Sequence, residues 1–256
     1  MAEFLVWPAL IAYGEAAVAY AGELRGPGIG GRLATWGVRI GWLAQTALLI
    51  VQAFGSDGFP WGTWAGALNL FVWLVVAVYL VWGCTPRYRL LGLAVMPIAA
   101  VLLVLAWAGG GTAVDEGNSS GVLLGLHAGF MLAGLAGLTV AAGMGALYLW
   151  EDRRLKRRDS HLLRLRLPPL GTLDRLEARI TAAALALLSI GIVAGLPRLQ
   201  GRFDVSMAFT LVLWALVATA LVLRREAGLQ GRRAAWLQLS GVGLVAIVLP
   251  VTHFAS

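Results

Sequence analysis

GVLLGLHAGFMLAGLAGLTVAAGMGALYLW, Gly121 to Trp150, holds thirty residues without a charge and a single histidine, His127, near its start. A run of that length spans a bilayer with tilt. EDRRLKRRDSHLLRLRL follows directly, the densest block of positive charge in the chain, and short positive loops stay on the cytoplasmic face. The end of the run is therefore expected inside and His127 near the outer surface. The other spans are laid out from that orientation.

Composition points the same way. The chain of 256 residues is 59% hydrophobic and only 13% charged, with a mean hydropathy of +0.80, so it would expose too much apolar surface to be soluble. Its net charge of +7 and pI near 10.5 do not indicate a nucleic-acid partner, because the basic residues fall in short loops between apolar spans and act as topology signals. Cys84 is the one cysteine, which excludes an internal disulfide and a CxxC motif.

Read in order, the first apolar run is Phe4 to Leu24. Ala19-Tyr20-Ala21 has the form of a cleavage site, but Glu3 stands where a signal peptide carries basic residues, so the run reads as a retained helix. Ala34 to Phe54, Trp64 to Trp82 and Leu90 to Trp107 supply spans two to four, with a bend expected at Pro97. Gly121 to Trp150 is the fifth. LPPLGTLDRLEARI mixes charge with leucine and is expected to lie at the inner interface before the sixth span, Ile180 to Leu196. Met207 to Leu223 and Ala234 to Val251 complete the set, with Pro250 expected to end the last helix.

Of the 20 Lys and Arg, this layout leaves only Arg198 and Arg202 outside, with Arg39 just within the second span. Trp7, Trp61, Trp64 and Trp107 mark the outer boundary, and Trp36, Trp82, Trp150 and Trp236 the inner one. The expected fold is all-α: one integral membrane domain over residues 1–256, a polytopic transmembrane helical bundle of about eight spans with both termini outside. The expected location is the cell (inner) membrane.

Three histidines are available for chemistry. His127 opens the fifth span and His253 closes the eighth, so both fall in the outer leaflet. Two neutral imidazoles from facing helices can hold a haem iron; equally, each can be a polar interfacial side chain. His161 sits in the basic inner loop and reads as solvated. Arg198, Arg202 and Asp204 share the short outer loop, where the guanidinium groups suit carboxylates such as haem propionates or pair with the aspartate. Within the spans, Glu15 and Arg39 are expected to form an ion pair between the first two helices. Gly125, Gly129, Ala133, Gly137, Ala141 and Gly145, spaced by four, favour close helix packing.

Most of the chain resembles the integral-membrane cytochrome c assembly family, the CcsA and CcmC haem handlers, and especially its HemX-like branch. The resemblance is carried by His127 opening a span, the basic loop after LYLWEDRRLK, LPPLGTLDRLEARI, GLQGRRAAW and the terminal THF. FPWGTWAGALNLFVWLVVAVYL is similar to the family's outer loop and following helix. It implies an outer haem site whose axial histidines, here His127 and His253, flank a tryptophan-rich loop. Arg202-Phe203-Asp204 occupies the end of that loop and Trp214 follows ten residues on, but no tryptophan stands just before Asp204. The second span carries Gln45 where some members have a histidine.

The resulting expectation is a protein of cytochrome c biogenesis or haem handling that binds haem b, without forming thioethers alone. Its expected partners are haem, the lipid bilayer, a second membrane protein of cytochrome c assembly and apocytochrome c, with no nucleic acid. The alternative is a scaffold or accessory subunit of a larger redox or assembly complex that delivers no haem.

Overall fold

Within a bilayer every backbone N–H and C=O must find its partner inside the segment, and long uncharged runs meet that demand as helices. The computed structural model describes residues 2–23, 30–56, 61–83, 85, 88–114, 122–158, 168–196 and 205–254; the side chains of residues 2, 3, 23, 82, 83, 89, 90, 122, 205, 206 and 244–254 are outside that description. After a short 3-10 turn, Ala2–Leu5, come α1 (Val6–Glu23), α2 (Gly30–Gly55), α3 (Trp64–Gly83), α4 (Arg89–Ala108), α5 (Val122–Lys156), α6 (Leu170–Gly195), α7 (Val205–Glu226) and α8 (Arg232–Phe254). Among the described residues there is no strand, and six helices, α2 to α7, are long and apolar enough to cross a membrane. The all-helical, multi-pass architecture read from the sequence is the one observed.

Several elements run past their expected ends. α5 continues six residues beyond Trp150, through EDRRLK, where Lys156 reaches back to Asp152 at 2.8 Å in an i,i+4 pair. α6 is one helix from Leu170, so LPPLGTLDRLEARI is not a separate interfacial piece. Its Leu173, Leu176, Glu177 and Ile180 are buried. α8 likewise passes through Pro250 to Phe254 instead of ending there.

The helices group as two compact units, α1–α4 and α5–α8, with the boundary on α5 between Gly125 and Leu126. In the first unit α1 and α2 run antiparallel in close contact. A Cβ on Gly37 would lie 3.2 Å from the Ala12 carbonyl oxygen, and one on Gly41 would lie 2.6 Å from the Tyr13 ring. That seam excludes the expected ion pair. Glu15 stands on the exposed stripe with Ile11 and Val18, and Arg39 on the exposed stripe with Trp36, Ile40 and Leu43. Both therefore face away from the α1–α2 contact, and the Arg39 guanidinium lies 5.2 Å from the Trp36 ring centroid instead.

The buried amides of α2 and α3 in this unit are paired with one another. Tyr13 donates to Gln45 Oε1 at 2.8 Å, and Gln45 Nε2 donates to Asn69 Oδ1 at 2.9 Å and to the Asn69 carbonyl at 3.0 Å. Asn69 Nδ2 donates to Gln52 Oε1 at 3.2 Å, while Gln52 Nε2 reaches the carbonyls of Gly111 and Ala113 at 3.0 and 2.8 Å. Gln45, Gln52 and Asn69 are fully buried. Each such bond contributes about 0.5–1.5 kcal/mol net, and leaving a buried partner unmet costs about 1–3 kcal/mol. The network thus fixes the register of α2, α3 and the turn after α4.

Candidate functional site

α5 brings His127 to α6 along a seam made by glycines. Gly134 and Gly137 on α5 meet Leu188 and Ala184 on α6. On the α6 side, a Cβ at Gly191 would lie 2.9 Å from Met131 Sδ, and one at Gly195 would lie 2.7 Å from His127 Nδ1. Gly191 and Gly195 form a small-x-x-x-small pair that lets the two backbones approach, and the imidazole occupies the space where a larger residue 195 would stand.

The half-buried His127 ring is oriented by one hydrogen bond, 2.7 Å between Nδ1 and the Gly191 carbonyl oxygen. A carbonyl can only accept, so Nδ1 carries the proton, and Nε2 is the nitrogen left to act as a lone-pair donor in a neutral ring. A histidine whose second nitrogen is bonded to a backbone carbonyl is the usual arrangement of a metal ligand, because that bond sets both tautomer and ring direction.

α8 runs antiparallel to α5. A Cβ on Gly145 would lie 3.4 Å from Ala235 Cα, and Gln238 Nε2 donates to the Leu138 carbonyl at 3.4 Å. Carried eighteen residues along both helices from Gly145 and Ala235, this register reaches His127 near the start of α5 and His253 near the end of α8. Carried eleven residues from Leu138 and Gln238, it reaches His127 and Leu249, one turn from His253. The His253 side chain lies outside the described residues, as do Arg198, Arg202, Asp204 and His161. Trp214 donates its Nε1–H to Ser189 Oγ at 2.8 Å and packs on the core of Leu138, Ala184, Leu188, Leu213 and Val217. It ties α7 to α6.

Residues 61–254 match the cytochrome c assembly protein family, from the turn before α3 to the end of α8. The chain belongs to that family. Two similar proteins are the inner membrane protein YpjD of Escherichia coli strain K12, 26% identical over 135 residues, covering 51% of this chain and 49% of that protein, and an uncharacterized 28.8 kDa protein in a nifR3-like 5' region of Azospirillum brasilense, 24% identical over 249 residues, covering 91% of this chain and 89% of that protein. The chain spans about half the length of the YpjD proteins it matches. No solved structure matches. Family membership supports a role in cytochrome c biogenesis for this multi-pass membrane protein.

The family match contains both histidines and all four helices of the second unit, and the structure joins residues there that the sequence motifs did not pair. Near the start of α6, Arg224 of α7 binds Asp174 and reaches Glu177 Oε2 at 3.5 Å, both on α6. The Gly231 N–H, in the turn before α8, donates to Asp174 Oδ1 at 2.8 Å. Gly231 has φ +66, a left-handed conformation that favours glycine. One carboxylate thus joins α6, α7 and the α7–α8 turn. The signal for Gly191 and Gly195 was legible as two glycines four apart on α6; no local signal linked Asp174 to Arg224, fifty residues away.

Proposed function

We propose that this protein serves cytochrome c biogenesis as a HemX-like member of its family and binds one haem b near the outer face of the inner membrane, which His127 and His253 would hold through its iron. The observation that carries the reading is the His127 Nδ1 bond to the Gly191 carbonyl, which leaves Nε2 available as a donor. The antiparallel run of α5 and α8, whose two observed contacts carry His127 to within a turn of position 253, supports the pair. Arg198 and Arg202 would meet the propionates, with Asp204 orienting them from the same loop. When bound, the haem supplies a redox-active iron whose properties follow its axial ligands. The protein's own part would be to present the His127 imidazole in the tautomer its Gly191 bond sets, to supply a second imidazole from His253, and to match two carboxylates with two guanidinium groups. The partners that fit are a second membrane protein of cytochrome c assembly and apocytochrome c.

Purified wild type from haem-replete cells should give a low-spin, six-coordinate haem b spectrum. His127→Ala and His253→Ala should each turn it high-spin or lose the haem, whereas His161→Ala should do neither. Replacing both Arg198 and Arg202 by alanine should weaken haem binding by about 1.5–3 kcal/mol for each charge-assisted hydrogen bond removed. A haem-free wild type would sink the assignment and favour the accessory-subunit reading.

A further inference from the structure

At the C-terminal end of α5 a cavity of about 460 Å³ opens between α5 and α8, away from the histidines. Trp150, Arg153 and Arg157 recur at helical spacing and so share one face, with Leu149 beside them, and Trp236 and Leu239 close the opposite wall. The Arg153 guanidinium lies 5.9 Å from the Trp236 ring centroid, and that of Arg154 lies 4.6 Å from the Trp150 ring. No carboxylate lines the cavity among the described residues. Asp152 is engaged by Lys156 at 2.8 Å, and Glu151 is buried on another face of α5.

The cavity has two tiers, one of leucine and one of arginine, with tryptophan at their junction. That order follows the depth profile of a phospholipid: acyl chain, interface, phosphate. By the distribution of positive charge, this end of α5 is the cytoplasmic one, where anionic lipids attract basic clusters and basic pockets between helices take phosphate headgroups. A soluble phosphate would use the arginines but not the leucine tier.

We propose that this cavity binds an anionic phospholipid of the cytoplasmic leaflet, its phosphodiester between Arg153 and Arg157, its glycerol against Trp236 and its chains along Leu149 and Leu239. The site is independent of the haem reading and stands or falls without it.

The test uses the full-length protein in neutral detergent, with native mass spectrometry and thermal shift as readouts. Three probes are titrated: dioctanoyl phosphatidylglycerol, dioctanoyl phosphatidylcholine and sn-glycerol 3-phosphate. Phosphatidylglycerol should bind and stabilise, at least about tenfold more tightly than either of the others. Arg153→Gln and Arg157→Gln should each weaken it about fivefold and the double variant about 25-fold, while Arg175→Gln, an exposed charge outside the cavity, should leave it unchanged. Trp236→Leu keeps every charge and should cost about two- to fivefold; it carries the test if the arginine variants do not fold. Equal binding of phosphatidylcholine overturns the proposal, and so does unchanged affinity in the double variant or in Trp236→Leu. Glycerol phosphate binding as tightly as the lipid would make this a soluble-phosphate site and would also overturn it.

Discussion

Two polar centres in this protein, one buried and one half-buried, differ in how much of their bonding is used. In the first unit the amides of Gln45, Gln52 and Asn69 spend their donors on one another and on the carbonyls of Gly111 and Ala113. In the second, His127 spends one ring nitrogen on Gly191 and presents the other. A closed network holds helices in register, and its energy appears as stability. A half-used imidazole fixed in one tautomer is prepared for a further partner. The contrast separates a polar residue that makes the fold from one that makes a site.

The most disruptive way to break that contrast is to move the imidazole without touching it. Gly195→Ala would put a Cβ 2.7 Å from His127 Nδ1, whereas Gly129→Ala on α5 meets nothing within 4 Å. The first should abolish the six-coordinate haem spectrum while leaving helical content by circular dichroism intact; the second should change neither. A normal spectrum in Gly195→Ala would mean that the Gly191 bond does not govern the ligand.

Arg224→Met comes next. It leaves Asp174 and Glu177 together without their cation and should cost about 3 kcal/mol in reversible unfolding, the lower end for a broken buried pair because Arg224 and Asp174 keep 10% and 15% of their side-chain surface exposed. Haem binding per folded molecule should be unchanged.

Asn69→Leu removes the centre of the amide network and should cost about 2 kcal/mol, read as a lower unfolding temperature with the haem spectrum retained. Loss of haem in this variant, with the fold intact, would erase the distinction between the two centres.

The smallest effect is expected for the charges of α1 and α2. Because Glu15 and Arg39 lie on exposed stripes that face away from each other, a double-mutant cycle of Glu15→Gln and Arg39→Gln should give a coupling below about 0.5 kcal/mol. A coupling of 2 kcal/mol or so would restore the ion pair that the sequence suggested.

How many helices form, and about where they begin and end, was legible in the sequence because these depend on sums along the chain: apolar length for α2 to α7, and arginine clusters for the loops. His127 stood out for the same reason, as one imidazole at the edge of an uncharged run. Which way a side chain faces around its helix was decided only by the tertiary structure, since that angle depends on the neighbour against which the helix packs. Glu15 and Arg39 share the right depth and the wrong faces; Asp174 and Arg224 are fifty residues apart and meet; Arg153 finds Trp236 across α5 and α8. Hydropathy and charge add up locally, whereas the bond that turns His127 from an interfacial polar residue into an oriented donor comes from a glycine of another helix.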